Sequence, residues 1–173
     1  MKSGSVLSLI AAATYPGRVI GKDNSLLWRI PSDMRRFRDI TNCHPVIMGR
    51  LTWESINPKY RPLLGRTNIV VTRNKLYSAS GAVVANSLAE ALIVAREASG
   101  MEEIFCIGGG LLYREAINFA DRIYLTKVYA DIAGDAKFPE IDSNWEITND
   151  SEPSCCADDE YTTSFQIYRR KTS

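Results

Sequence analysis

The sequence predicts an α/β fold with a mainly parallel sheet and an antiparallel hairpin at its C-terminal end. Apolar runs of strand length alternate with stretches of helical spacing from Val6 to about Tyr129, a pattern that builds strand–helix–strand units. Near the end, Trp145–Asn149 and Tyr161–Tyr168 flank the polar segment Asp150–Glu160 and read as a pair that closes the sheet. No internal repeat and no low-complexity tract interrupts this order.

Taken in order, Val6–Ala13 is a short apolar run suited to a central strand. Thr14–Ile30 is loop, with Pro16-Gly17 and Gly21 as its turn residues. A helix follows from Ser32 to about Asn42, because Pro31 stops any helix before it and Ser32 is a good N-cap. Met34, Phe37 and Ile40 share one face of it, and Arg35, Arg36 and Arg38 take the others. Pro45–Gly49 is a second buried strand that runs straight into a short helix, Arg50–Ile56, and Asn57–Gly65 is rich in turn residues. Thr67–Thr72 and Ala82–Ala85 are strands. Ser87 caps a helix to about Ala98, with Leu88, Ala91, Leu92 and Ala95 as its apolar stripe. Glu103–Ile107 is a strand ending in Gly108-Gly109-Gly110, Leu111–Phe119 is helical, and Arg122–Tyr129 is the next strand.

A chain of 173 residues is one domain's worth, enough for a full hydrophobic core. With 45% apolar and 24% charged residues it has the composition of a globular protein. Its 21 basic and 20 acidic side chains give no bulk charge for nucleic acid to recognise. No apolar run reaches the length of a membrane span. The start, MKSGSVLSLIAAAT, imitates a short leader, but a single Lys2 and an apolar run of minimal length favour a buried first strand and a cytoplasmic protein. Cys43, Cys106, Cys155 and Cys156 have no C-x-x-C spacing, and the one histidine, His44, sits in a helix-to-strand connection as a solvated loop residue. No metal site is expected, and four free thiols fit a reducing compartment.

Three places carry possible chemistry. Asp33 lies in the first turn of its helix, one residue before the apolar face begins. It is either a residue matched to the helix dipole or a carboxylate at the mouth of an apolar pocket walled by Trp28 and Phe37. Val46–Gly49 into Arg50-Leu51-Thr52, and Phe105–Ile107 into Gly108–Gly110, are both buried strands that end in glycine where a helix starts. Such turns either serve geometry alone or expose backbone N–H groups to the oxygens of a pyrophosphate. The triple glycine is not G-x-G-x-x-G, so the usual dinucleotide fingerprint is absent. Arg50 and Thr72-Arg73, at the ends of their strands, are either solvated or a site for an extra phosphate, such as the one that distinguishes NADP from NAD.

Together the segments LIAAA, VIGKDNSLLW, IPSDMRRFR, PVIMGRLTWESI, RPLLGRTNIVVTR, IFCIGGGLLY, IYLTKV and GDAKFPE closely resemble the bacterial type of dihydrofolate reductase over essentially the whole chain. The resemblance implies an eight-stranded sheet with about four flanking helices, NADPH as cofactor, and a monomer that reduces 7,8-dihydrofolate. It also implies a cis Gly108–Gly109 peptide. Asp33 matches the family's single active-site carboxylate, which grips the pteridine's 2-amino group and N3. Trp28 matches a tryptophan that orders water, and Thr126 a threonine at the same polar end. Ile10, Ala11, Leu26, Met34, Phe37, Ile56, Leu63 and Ile107 match pocket-lining positions, and Arg66 the arginine that pairs with the glutamate tail's α-carboxylate. Arg50, Thr52, Thr72, Arg73 and Gly108–Gly110 match the cofactor's phosphate sites. The same site is expected to include Ala12, Ile20, Gly21, Gly49, Leu51, Leu111, Leu112 and Tyr113.

Leu27 is a departure, since many relatives have proline there, and the Asn57–Tyr60 stretch looks slightly extended. Two alternatives remain: the related pyrimidine reductase of riboflavin synthesis, and a silent module that binds folate or NADPH. Asp33 in its Trp-x-x-Pro-x-Asp setting and Arg66 after Leu64-Gly65 favour folate, and the intact set Asp33, Trp28 and Thr126 argues against a silent module.

Overall fold

The computed structural model describes residues 4–172, so Lys2 lies outside the described residues. In chain order the elements are β1 (Val6–Thr14), β2 (Val19–Gly21), α1 (Pro31–Thr41), β3 (Val46–Gly49), α2 (Arg50–Ser55), β4 (Asn68–Val71), β5 (Val83–Ala85), α3 (Leu88–Arg96), β6 (Glu103–Cys106), α4 (Gly110–Ala116), β7 (Arg122–Val128), β8 (Ala136–Lys137), β9 (Trp145–Asp150) and β10 (Thr163–Arg170). A 3-10 turn at Pro58–Tyr60 follows α2, its start bonded by Asn57 Oδ1, which accepts from Lys59 N–H at 2.9 Å.

The main sheet has eight strands in the order β5-β4-β3-β6-β1-β7-β10-β9. Its pairings from β5 to β7 are parallel, and β10 runs antiparallel to both β7 and β9. This is the mainly parallel sheet with an antiparallel end that the strand–helix alternation predicts. The chain leaves β1 for β3, β4 and β5 on one side, returns as β6 between β3 and β1, and then crosses to β7. Parallel strands end on one edge, so Thr14, Gly49, Val71, Cys106 and Val128 close the same side of the sheet. In open α/β sheets that edge, where the strand order switches, is where ligand crevices form.

Side chains alternate along the strands between two apolar clusters. Leu9, Ile47 and Ile104 pack with Leu88, Ala91 and Ala95 of α3 and Leu112 and Ala116 of α4. Their chain neighbours Ile10, Met48 and Phe105 pack on the other face with Trp53, Phe37 and Ile40. At the opposite end of the sheet from the strand C-termini, Glu103 Oε1 accepts from Ser8 Oγ at 2.5 Å, Arg122 Nη1 at 3.0 Å and Tyr124 OH at 3.0 Å.

Three expectations need correction. Thr14–Ile30 is not all loop: β2 pairs antiparallel with β8 as a separate two-stranded sheet. Strands of three and two residues are too short to show a period. Gly134 makes room for them, since a Cβ there would sit 2.4 Å from Val19 Cγ1. Ser32 is not the N-cap of α1. Pro31, whose fixed φ suits the first helical position, begins the helix one residue earlier and leaves Ile30 at the cap position with no side-chain bond. His44 is not solvated: its ring packs against Phe105 at 5.5 Å between centroids, and Nδ1 lies 2.8 Å from Gly100 O. Ser87, by contrast, caps α3 as read, accepting from Glu90 N–H at 3.1 Å.

Candidate active site

Asp33 stands on the first turn of α1 and faces β7. Thr126 Oγ1 donates to Asp33 Oδ1 at 2.5 Å, and the Arg36 guanidinium lies 3.6 Å from the same oxygen. The Asp33 side chain is only 18% exposed. Burial raises its carboxyl above the usual value, the Thr126 hydrogen bond and the Arg36 charge act in the opposite direction, and the charge of Asp159 adds to the rise. Burial therefore wins. Asp33 is the acidic residue in the first turn of α1, and its burial against β7 distinguishes it from a helix-start carboxylate in open solvent.

An apolar cluster lies on the face of the sheet that α1 covers. Ile10 is buried, and Phe37, Ile56, Leu63 and Ile107 are half-buried against the same cluster. Ala11 and Ile20 pack partly buried from the other face of the sheet. Ala12 pairs with Thr126 across β1 and β7. Trp28 is half-buried, while Leu26 and Met34 keep 65% and 55% of their surface exposed. At the far end of α1, Arg66 lies across Phe37 at 6.0 Å and donates from Nη1 to Thr41 Oγ1 and from Nε to Leu64 O, both at 3.0 Å.

The two glycine turns meet. Gly49 N–H donates to Gly108 O at 2.8 Å, because β3 and β6 are neighbours in the sheet. The Gly108–Gly109 peptide is cis. Gly108 has a φ of +110°, and a Cβ there would sit 3.0 Å from the Tyr113 ring, so any side chain would be strained. A Cβ on Gly109 would lie 3.3 Å from Thr52 Oγ1. The backbone between the turns is thus bare, with the first N–H groups of α2 and α4 beside it. Leu51 and Leu111 are exposed, whereas Leu112 and Tyr113 turn into the core, where Tyr113 OH donates to Ile10 O at 2.6 Å. Arg50 and Thr72-Arg73 leave the ends of the paired strands β3 and β4. Arg50 Nη1 donates to both carboxylate oxygens of Glu54, at 3.1 and 3.0 Å, and Arg73 is exposed.

The loop from Gly21 to Trp28 follows β2. Lys22 and Ser25 exchange backbone hydrogen bonds across Asp23-Asn24, both at positive φ, which is a tight two-residue hairpin. Asp135 accepts from Asp23 N–H at 3.1 Å and donates its own N–H to Gly21 O at 3.2 Å. Leu27 is half-buried.

Two groups escaped the sequence reading. Arg36 lies off the apolar face of α1, yet its spacing of three from Asp33 brings the two side chains together. Asp159 lies 127 residues from Ser32 along the chain, and no local signal points to their contact.

The family model for dihydrofolate reductase matches residues 6–170. A dihydrofolate reductase of Bacillus subtilis (strain 168) is 42% identical over 157 residues, covering 90% of each chain. A dihydrofolate reductase type 3 of Salmonella typhimurium is 45% identical over 151 residues, covering 86% of this chain and 89% of that one. Among solved structures, a dihydrofolate reductase from Enterococcus faecalis complexed with NADP(H) and RAB-propyl superimposes with a TM-score of 0.87 at 33% identity, over 96% of this chain and 97% of that one. With its sheet order, its buried acid and its paired glycine turns, this chain belongs to the dihydrofolate reductase family.

Proposed function

We propose that this chain reduces 7,8-dihydrofolate to 5,6,7,8-tetrahydrofolate with NADPH. The observation that carries the reading is Asp33, a buried carboxylate bonded to Thr126 at the polar end of a half-open apolar wall. The bare backbone between Gly49 and Gly108–Gly109 fits a dinucleotide's phosphates. Gly49, Thr52 and Gly108–Gly110 hold the pyrophosphate region, and Arg50, Thr72 and Arg73 the additional phosphate of NADPH. NADPH supplies the hydride that adds to C6 of the substrate.

The protein's part is to bind, orient and exclude water. Ile10, Phe37, Ile56, Leu63 and Ile107 hold the ring system in apolar surroundings, which suits hydride transfer between two faces. Asp33 grips the 2-amino and N3 edge of the pteridine, oriented by Thr126, and so favours protonation at N5. The proton itself comes from water, with Trp28 at the pocket's polar end. Arg66 pairs with the carboxylate of the substrate's tail. The same reading takes residues 1–173 as one dihydrofolate reductase domain, monomeric and cytoplasmic.

Loss of NADPH absorbance on adding dihydrofolate tests the activity, and Asp33→Asn tests the site. Turnover at neutral pH should fall by a factor on the order of 10² or more, with NADPH affinity unchanged. The deficit should shrink in acid, where bulk protonation of the substrate replaces part of what Asp33 provides. Wild-type turnover in the variant at neutral pH would refute this role for Asp33.

A further inference from the structure

We propose that Asp159 is a positioning residue for this reaction: reaching over from the loop between β9 and β10, it replaces the missing N-cap of α1 and so fixes where Asp33 stands. The inference rests on reading Asp33 as the carboxylate that grips substrate. Helix α1 opens with Ile30 at the cap position, which has no side-chain acceptor, and with Pro31, which has no N–H. Ser32 therefore carries the first N–H that needs a partner, and Asp159 Oδ1 accepts it at 3.0 Å. The Ser32 hydroxyl donates to Asp159 Oδ2 at 2.6 Å. An N-cap side chain does this for its own helix by bonding the second or third residue; here a carboxylate from the other end of the chain does it. Asp33 is the next residue along.

The loop is built to aim Asp159. Cys156 N–H donates to Asp159 Oδ2 at 3.3 Å, and Cys156 O accepts from the N–H of Asp159 at 3.0 Å. That turn gives the Cys155-Cys156 pair a structural place. Next to it, Glu160 N–H donates to Arg29 O at 3.1 Å, and Arg29 N–H donates to Glu160 Oε2 at 2.7 Å. The segment leading into α1 is thereby held on both sides of Ile30.

Asp159 also acts through its charge. The groups that act on Asp33 are Thr126 from β7, Arg36 from α1 and Asp159 from the loop, and the charge of Asp33 in turn reaches Tyr113 of α4. Of these, Asp159 pushes Asp33 toward its protonated form, while Thr126 and Arg36 hold it ionised. Burial opposes ionisation of Asp159 itself, but its bonds from Ser32 and Cys156 outweigh that and keep it an anion.

Two variants separate the cap from the charge. In Asp159→Ala the KM for dihydrofolate should rise roughly two- to tenfold, the equivalent of a lost cap, with the NADPH Kd unchanged. In Asp159→Asn the amide oxygen still accepts from Ser32 N–H, while the amide NH2 donates to the Ser32 hydroxyl, so KM should stay nearer wild type than in Asp159→Ala. The acid limb of the kcat/KM profile should nevertheless move to lower pH, because removing a like charge lowers the pKa of Asp33. Wild-type KM and profile in both variants would overturn the proposal. So would equal losses for dihydrofolate and NADPH with an unmoved profile, the mark of general loosening. Asp33→Asn run alongside distinguishes the two readings. A crippled Asp33→Asn beside unaffected Asp159 variants defeats this inference alone, whereas an active Asp33→Asn defeats the reading of the site on which it rests.

Discussion

Arg36 and Asp33 lie on one side of α1 with 3.6 Å between guanidinium and carboxylate, and Arg36 Nη1 is buried with no hydrogen-bond acceptor among the described residues. The guanidinium also lies over the Phe165 ring, 4.6 Å from its centroid. Arg36 is thus held by stacking on β10 and acts on Asp33 as a charge. It opposes the burial that raises Asp33 and keeps the acid nearer its ionised form.

Replacing Arg36 by Gln keeps the stem on Phe165 and removes the charge. The pKa of Asp33 should then rise further, so that Asp33 takes up its proton at a higher pH than in wild type. A cationic 2,4-diaminopyrimidine presents the same amino and ring-nitrogen edge that Asp33 is proposed to grip and should pair with the ionised acid, so its binding should begin to weaken at a higher pH as the solution is acidified. Titration by fluorescence across mildly acid pH measures this, and superimposable curves would show that the Arg36 charge is without effect on Asp33.

The raised pKa of Asp33 also has a sign for stability. The folded state binds this proton more tightly than the unfolded chain, whose value is near 3.8. The stability contributed by the protonated form is complete below that value and is lost as pH rises through the folded pKa. At neutral pH the buried charge is therefore a cost. Asp33→Asn should melt higher than wild type near pH 7, by about 0.5–2 kcal/mol in stability, and the difference should vanish in strong acid. A variant less stable than wild type at neutral pH would contradict this.

Arg66 already uses two of its donors on Thr41 and Leu64, which aims the guanidinium across Phe37. Arg66→Leu should raise the dihydrofolate KM strongly, by the loss of a bidentate carboxylate pair. A pteridine without the glutamate tail should be affected far less. Equal losses for the two substrates would make Arg66 a structural residue of the α1 end.

Arg73 is exposed at the end of β4, while Arg50 is engaged by Glu54. Arg73→Ala should weaken NADPH selectively over NADH, by about 1.5–3 kcal/mol for a charge-assisted contact. Competitive titration of the two cofactors reads the difference, and equal weakening would remove Arg73 from the phosphate site.

The sequence by itself determined the alternation of strands and helices, the two glycine turns, and the place of Asp33 at a helix start, because these are local: strand length, helical spacing, Pro31 and runs of glycine all act within a few residues. It also named the apolar wall residues, through resemblance. It could not show which influence on Asp33 prevails, since burial depends on Thr126 and β7 closing over α1 from a distant part of the chain. Nor could it show β2 with β8, which are too short to carry a period. The N-cap of α1 illustrates the limit most directly. Locally, Ser32 looks like the cap. Only the return of the β9–β10 loop, bringing Asp159 onto Ser32 from 127 residues away, turns that serine from a cap into a capped residue. Contacts of that separation are set by the order of strands in the sheet, which exists only once the chain has folded.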